Sequence, residues 1–292
     1  MRFRILLPLL GLIAGCASAG AADDPPQVLA AAYPFAWAAE QVAGPDARVV
    51  SLVRPGAEPH DVELSPRQVG AVEKASLVVY LRGFQPAVDD AVRNSSRSAR
   101  LDLTPYVDVQ PLSSDLDDET GTGTDPHVWL DPVRMSAVVR ALKARLAQAD
   151  PSHAVDYTTR AARVTAELRA LDELFRRRLA DCDRHDVVTA HTAFAYLAGR
   201  YGLRQVGVTG LAPDNEPAPG HIAEVAQYAR AHGVRTVFFE SRIDPKLAET
   251  VAREIDACTA VLDPVEGVQD GDDYLSVMRR NAAALAEGLG CR

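Results

Sequence analysis

Three of the seven histidines stand where an α/β protein binds its ligands. His60 follows a predicted strand and a Gly/Pro turn, His127 lies between an acidic loop and a predicted helix, and His191 directly follows an apolar strand. In open α/β sheets, ligands bind in the loops at the carboxyl ends of the strands. Neutral imidazoles suit Zn²⁺, a borderline ion that accepts nitrogen ligands in four-coordinate geometry. These positions therefore predict a zinc site built on His60, His127 and His191.

A fourth ligand is needed to complete such a site. Asp263 comes directly after the apolar strand 259–262, so we expect its carboxylate to be that ligand. Glu240 ends the predicted strand 236–239, and we expect it to orient one of the imidazoles as a hydrogen-bond acceptor. The remaining histidines fit this site less well. We expect His153, His185 and His232 to be solvated, and His221 to lie no nearer than the rim of the cleft.

The elements that position these residues alternate between strand and helix. In the first half, strands are predicted at 27–32, 47–53 and 77–81, with extended chain at 101–109; in the second half, they are predicted at 186–189, 204–208, 236–239 and 259–262. Predicted helices separate them, which is typical of parallel sheets covered by helices. The predicted fold class is α/β, with two lobes that each contain a mostly parallel sheet flanked by helices.

One long helix is predicted between the two halves. Apolar residues recur at helical spacing across residues 153–179. At 1.5 Å per residue such a helix is about 40 Å long, enough to cross a whole domain. We expect it to act as the single backbone helix that joins the lobes. The predicted boundaries are 25–150 for the N-terminal metal-binding lobe, 152–181 for the linking helix and 185–292 for the C-terminal metal-binding lobe.

The first twenty residues are predicted to be an export signal peptide. A short basic start precedes the apolar run 5–14, and small residues follow it. Two processing routes fit this segment: cleavage after Ala17-Ser18-Ala19, or lipidation of Cys16 in a lipobox-like stretch. We favour cleavage and release into the periplasm, with lipid anchoring through Cys16 as the alternative.

Loss or lipidation of Cys16 leaves Cys182, Cys258 and Cys291. In an oxidising compartment we expect one disulfide and one free thiol among them. Cys258 is expected to pair with either Cys182 or Cys291, and both pairings stay open.

The charge of the chain restricts its partners. A formal charge of −9 and a pI near 5.3 argue against nucleic acid, which requires clustered Lys and Arg, and suit a protein that attracts cations. Residues 113–126 are acidic, rich in Gly and Thr, and predicted to be a mobile surface loop. We hypothesise that its acidic residues steer cations toward the site; these are Asp115, Asp117, Asp118 and Glu119.

Five motifs in order resemble the zinc subgroup of the zinc/manganese class of ABC-transporter solute-binding proteins, over nearly all of the chain after the signal. The motifs are Pro55-Gly56-Ala57-Glu58-Pro59-His60-Asp61 with Ser65-Pro66, Asp125-Pro126-His127-Val128-Trp129-Leu130-Asp131-Pro132, Thr189-Ala190-His191-Thr192-Ala193-Phe194-Ala195-Tyr196-Leu197 with Tyr201-Gly202-Leu203, Phe238-Phe239-Glu240-Ser241, and Val261-Leu262-Asp263-Pro264.

The resemblance implies a ligand set and a function. The metal ligands of the family map onto His60, His127, His191 and Asp263, and a histidine at the third position indicates zinc, because manganese-type members carry glutamate there. It implies two α/β lobes that move little on metal capture, and delivery of Zn²⁺ as transported cargo to the permease of an ABC importer. The chain departs from many zinc-subgroup members in one respect, because the loop 113–126 contains no histidine.

Two other classes of function have some support in the sequence. A zinc-dependent hydrolase would need a positioned general base, and the chain has neither an HExxH pair nor a GxSxG elbow. A surface metal-binding lipoprotein or adhesin, retained through Cys16, would differ mainly in its partner. We therefore predict a protein that is not an enzyme, monomeric and without a nucleic-acid partner, and leave open whether a zinc metallochaperone loads it.

Overall fold

The computed structural model describes residues 25–54, 57–97, 99–111, 123–210, 217–241, 244–269 and 271–292. Two of the predictions fall outside these ranges. They are the signal peptide at 1–20, with Cys16, and the role of the acidic loop residues Asp115, Asp117, Asp118 and Glu119.

The N-terminal half folds around a parallel four-stranded sheet with the order β2-β1-β3-β4. Its strands are β1 (Gln27–Ala30), β2 (Arg48–Ser51), β3 (Leu77–Tyr80) and β4 (Arg100–Asp102). The central strand β1 is almost wholly buried, and Val28 pairs with Val49 on one side and Leu77 on the other. After Gln27 its residues are all apolar, as a strand covered on both faces requires.

The C-terminal half repeats this arrangement, with the strand order β6-β5-β7-β8 and parallel pairing throughout. Its strands are β5 (Asp186–Thr189), β6 (Arg204–Gly207), β7 (Thr236–Phe239) and β8 (Cys258–Val261). The two sheets confirm the predicted α/β class with two lobes.

Helices connect and cover the strands. They are α1 (Tyr33–Ala43), α2 (Pro66–Lys74), α3 (Pro86–Asn94), α4 (Thr104–Val107), α5 (Pro132–Ala149), α6 (Ala154–Arg178), α7 (Ala195–Arg200), α8 (Pro219–Ala231), α9 (Lys246–Ile255) and α10 (Tyr274–Leu289). Within the ranges that the structure describes, no helix is both long enough and apolar enough to span a bilayer.

The long connecting helix is α6, as predicted, and it buries one face. Tyr157, Val164, Leu168 and Phe175 on that face are fully buried. They belong to one continuous apolar cluster that also includes residues of both sheets and of α10. The two lobes therefore share a core in addition to the helix that joins them.

Residues 101–109 are predicted to be extended, but the strand in this segment is shorter than expected. Strand β4 ends at Asp102 and the four-residue helix α4 begins at Thr104. The carboxylate of Asp102 accepts hydrogen bonds from the backbone N–H and the hydroxyl of Thr104, and Pro105 occupies an early helical position. An acceptor for the first helical N–H, followed by proline at an early helical position, favours the start of a helix over continued strand.

The disulfide joins Cys182 to Cys291, so the expectation that Cys258 takes part in it is wrong. Cys182 lies just after α6 and Cys291 just after α10, and the two chain segments run antiparallel, with the N–H of Arg184 donating to the carbonyl of Leu289. Cys258 begins the outermost strand β8, where it is exposed and unpaired. The disulfide therefore ties the end of the connecting helix to the C-terminus.

Candidate metal site

The three predicted histidines meet between the two lobes. His60, His127 and His191 form a group with Glu266, in which one candidate ligand atom from each residue lies within 4.8 Å of all the others. His127 and His191 are completely buried, and the side chains of His60 and Glu266 are each about 10% exposed. The site is thus a small, nearly closed cavity that offers three nitrogen ligands and one oxygen ligand.

Three distances in this group fit one face of a tetrahedron around a small ion. Nε2 of His60 lies 3.2 Å from Nε2 of His127, and Oε1 of Glu266 lies 3.4 and 3.1 Å from these two nitrogens. Ligands held at about 2.0–2.2 Å in tetrahedral geometry are separated from one another by roughly 3.3 Å. Three edges of the polyhedron are therefore already close to the length that zinc requires.

His60 is carried by the loop between β2 and α2. Its backbone N–H donates to the Glu58 carboxylate (3.0 Å), and the buried Gln85 amide donates to the preceding carbonyl, that of Pro59 (2.7 Å). The ring packs edge-on against Phe84. Burial lowers the pKa of His60, a shift that the Glu266 carboxylate opposes, so this imidazole favours the neutral form that binds metal.

His127 is held by the carboxylate of Asp125. One oxygen of Asp125 accepts both from the backbone N–H of His127 (2.9 Å) and from Nδ1 of its ring (2.7 Å). Proton donation by Nδ1 leaves Nε2 to face the cavity. Burial disfavours the charged ring, but Asp125 and Glu266 outweigh it and raise the pKa of His127 to about 9.

His191 lies two residues after the end of β5 and is oriented by Glu240, which directly follows β7. Nδ1 of His191 contacts Oε1 of Glu240, while the backbone carbonyl of His191 accepts from Thr189 Oγ1 (2.7 Å). Nε2 of His191 is buried and has no hydrogen-bond partner among the described residues. A buried polar atom of this kind needs a ligand, and a cation at the centre of the group would supply one.

Glu266 completes the group from the loop after β8. Burial alone would raise the pKa of its carboxyl group, but hydrogen bonds from His127 and His60 hold that pKa well below its usual range. Glu266 is therefore ionised, and it places a negative charge against three imidazoles. A divalent cation at the centre of the group would be coordinated by this carboxylate and by the imidazole nitrogens.

Asp263, the expected fourth ligand, lies outside this group. Its two carboxylate oxygens accept from Ser241 Oγ (2.7 Å) and from the backbone N–H of Val265 (2.8 Å). One oxygen therefore serves the turn after β8 and the other binds the segment after β7, while Glu266, three residues further on, joins the imidazoles instead. The signal that could have identified Glu266 is weak, since it is a second carboxylate in the same short loop, followed by Gly267.

The other histidines lie apart from the group. His153 contacts the carboxylate of Asp150 and is partly exposed, while His232 is exposed and stacks on Tyr228. His185 directly precedes β5 and is exposed, at the opposite end of the strand from His191. His221 begins α8 and approaches the carbonyl of Gly207 at 3.4 Å.

Comparison with known proteins agrees with this architecture. Residues 28–288 match the family described as zinc-uptake complex component A, periplasmic (ZnuA). The high-affinity zinc uptake system protein ZnuA of Bacillus subtilis strain 168 is 31% identical over 300 residues, which cover 95% of this chain and 94% of that protein. The zinc-binding lipoprotein AdcA of Streptococcus pneumoniae serotype 4 is 31% identical over 94% of this chain, which spans 58% of the length of AdcA.

Solved structures share the fold. The laminin binding protein Lmb of Streptococcus agalactiae, described as bifunctional with adhesin and metal transporting activity, has a TM-score of 0.79 and 30% identity over 90% of this chain and 99% of its own. Zn(II)-bound AdcA of Streptococcus pneumoniae has a TM-score of 0.78 and 30% identity over 91% of this chain and 58% of its own. From the match over residues 28–288 and these relatives, we conclude that the chain belongs to the ZnuA family of zinc-uptake components.

Proposed function

We propose that this protein is a high-affinity zinc-binding solute-binding protein that delivers Zn²⁺ to the permease of an ABC importer. The observation that carries the proposal is the group of three imidazoles and one carboxylate whose candidate ligand atoms all lie within 4.8 Å of one another, with Nε2 of His191 buried and unpartnered within the described structure. Zinc is the cargo of this site and not a resident cofactor. Relatives of the chain named for zinc uptake and zinc binding support the same function.

The donor set favours zinc over manganese. Three imidazole nitrogens suit a borderline ion, whereas Mn²⁺ prefers carboxylate, carbonyl and water oxygens, usually in six-fold coordination. The cavity is nearly closed, since His127 and His191 are fully buried. Additional water ligands would therefore have little room.

The same geometry argues against catalysis. Catalytic zinc sites hold the ion through three protein ligands and leave the fourth position to water or substrate. Here Glu266 occupies the fourth position, 3.1 Å from Nε2 of His127 and 3.4 Å from Nε2 of His60. A role in binding and transfer therefore accounts for the site better than a zinc hydrolase does.

The predicted signal peptide and the exported relatives, among them zinc-binding lipoproteins, support export. We propose the periplasm as the location, with anchoring through Cys16 as the alternative, and the Cys182–Cys291 disulfide suits such an oxidising compartment. We propose a monomer that interacts with the permease. The domain boundaries that we propose are 25–150, 152–181 and 185–292.

Competitive metal titration tests the proposed function. We expect the wild-type protein to bind one Zn²⁺ per chain, and to retain it against an excess of Mn²⁺ and against a chelator of known affinity. The measurement is the zinc content after competition, with the apo protein shown to be folded by circular dichroism. Binding of Mn²⁺ in preference to Zn²⁺, or no stoichiometric zinc, would contradict the proposal.

Zinc binding is expected to release a proton from His127. Its pKa of about 9 means that the ring is protonated in the metal-free protein at neutral pH, while zinc requires it to be neutral. We expect about one proton to be released per zinc at pH 7, and zinc affinity to rise by roughly tenfold per pH unit up to about pH 9. Calorimetry in two buffers that differ in ionisation enthalpy measures the protons released. Identical apparent enthalpies in both buffers at pH 7 would contradict the expectation.

A further inference from the structure

The loop that carries Glu266 contains a backbone conformation that its sequence does not favour. Val265, the residue before Glu266, has a φ of +60° and is completely buried. A β-branched residue rarely adopts a positive φ, because Cβ then crowds the backbone. Such a conformation persists only when the surrounding structure enforces it.

Asp263 caps this turn from within the same loop. Its Oδ1 accepts from the N–H of Val265 at 2.8 Å, and its Oδ2 accepts from Ser241 Oγ at 2.7 Å. The buried side chain of Asn281 on α10 holds the backbone of Asp263 at two points. Oδ1 of Asn281 accepts from the N–H of Asp263 (3.0 Å), and Nδ2 of Asn281 donates to the carbonyl of Asp263 (2.7 Å). The first residue of the turn is thus held on both its side chain and its backbone.

Trp129 holds the middle of the turn from the opposite lobe. Its indole N–H donates to the carbonyl of Pro264 at 2.7 Å, and its own carbonyl accepts from the hydroxyl of Tyr274 on α10. Trp129 is fully buried and lies two residues after His127, while Pro264 lies two residues before Glu266. This hydrogen bond therefore connects a ligand-bearing segment of each lobe.

We propose that Asp263 and Trp129 are positioning residues that together aim Glu266 into the metal site. The inference rests on the proposed function, because it concerns the fourth ligand of the same site. Asp263 enforces the turn at Val265, and Trp129 sets the distance between the segments of His127 and Glu266. As a consequence, separation of the lobes at this point breaks the Trp129–Pro264 hydrogen bond and frees the turn that presents Glu266.

A double-mutant cycle separates this role from direct ligation by Asp263. We expect Asp263→Ala to weaken zinc binding by about 10- to 100-fold, the usual cost of removing a group that orients a ligand. In the Glu266→Ala background the same substitution should cost less than about threefold, because Asp263 acts only through Glu266. Asp263→Asn, whose side-chain oxygen still accepts from Val265, should restore most of the lost affinity.

Trp129→Phe tests the contact from the other lobe, with Trp37→Phe as the matched control. Trp37 is buried in the same apolar cluster, and its indole nitrogen has no hydrogen-bond partner among the described residues. We expect Trp129→Phe to weaken zinc binding by roughly tenfold in the presence of Glu266 and by less than about threefold in its absence. Trp37→Phe should change affinity by less than about twofold in both backgrounds, since it removes no hydrogen bond.

The visible absorption of the Co²⁺-loaded proteins reports coordination directly. We expect the spectra of Asp263→Ala and Trp129→Phe to shift toward that of Glu266→Ala, and those of Asp263→Asn and Trp37→Phe to match the wild type. Additive losses of affinity in the Glu266→Ala background, or wild-type Co²⁺ spectra for both Asp263→Ala and Trp129→Phe, would overturn the inference. Absence of zinc binding by the wild-type protein would instead overturn the proposed function.

Discussion

Replacement of His127 with alanine is expected to weaken zinc binding by at least about 100-fold. Four-ligand zinc sites contribute about 10–16 kcal/mol of binding free energy, so one ligand accounts for roughly 3 kcal/mol. We expect His127 to show this cost in full. It is completely buried, and its Nε2 lies within 3.2 Å of both His60 Nε2 and Glu266 Oε1. Zinc affinity, measured by competition with a chelator, tests this expectation.

The substitution also changes the metal-free protein. Without the charged ring of His127, the nearly buried carboxylate of Asp125 loses its Nδ1–H partner and Glu266 loses its closest cation. We therefore expect the apo variant to melt at a lower temperature than the apo wild type. His232→Ala is the matched control, since His232 is exposed and stacks only on Tyr228, and it should leave both quantities unchanged. Wild-type zinc affinity in His127→Ala would remove His127 from the site.

Loss of the disulfide is expected to produce the largest change in stability. Cys182 and Cys291 are separated by 109 residues, so the bond closes a loop that spans the whole C-terminal sheet. Restricting a loop of this length in the unfolded chain contributes about 4–5 kcal/mol in the chain-entropy treatment. We expect Cys182→Ser to lower the apo melting temperature by roughly 10 °C or more, as measured calorimetrically.

Two controls accompany this measurement. Cys258→Ser removes an exposed thiol outside the disulfide and should leave the melting temperature unchanged. A reductant should lower the melting temperature of the wild type to that of Cys182→Ser and should not affect the variant further. Equal melting temperatures for wild type and Cys182→Ser without reductant would show that the C-terminal segment is held by its backbone hydrogen bonds alone.

The three histidines and the metal they favour could be predicted from local pattern. His60, His127 and His191 all follow strand or loop segments whose boundaries are visible in the sequence, and parallel strands bring their carboxyl ends to one edge of a sheet. The preference for nitrogen ligands follows from residue type alone. The alternation of strands and helices, and the length of α6, were evident for the same reason, since apolar periodicity is a local property.

The fourth ligand and the disulfide partner depend on contacts between distant segments. Asp263 and Glu266 occupy the same short loop, and the direction of each carboxylate is set by the turn at Val265. Contacts from Trp129, 135 residues before Pro264, and from Asn281, 18 residues after Asp263, hold that turn. In the same way, Cys182 pairs with Cys291 because the ends of α6 and α10 meet, while Cys258 faces outward on the sheet edge.

The amino-acid sequence by itself therefore determined the fold class, the two halves, the three imidazoles and the class of ion they would bind. Tertiary structure alone decided which of two nearby carboxylates faces that ion, and which cysteine closes the C-terminal lobe. The physical reason is that helical and strand periodicity is specified by neighbouring residues. The direction of Glu266 depends in addition on Trp129, which lies 135 residues from Pro264, and the disulfide joins two helix ends whose cysteines are 109 residues apart.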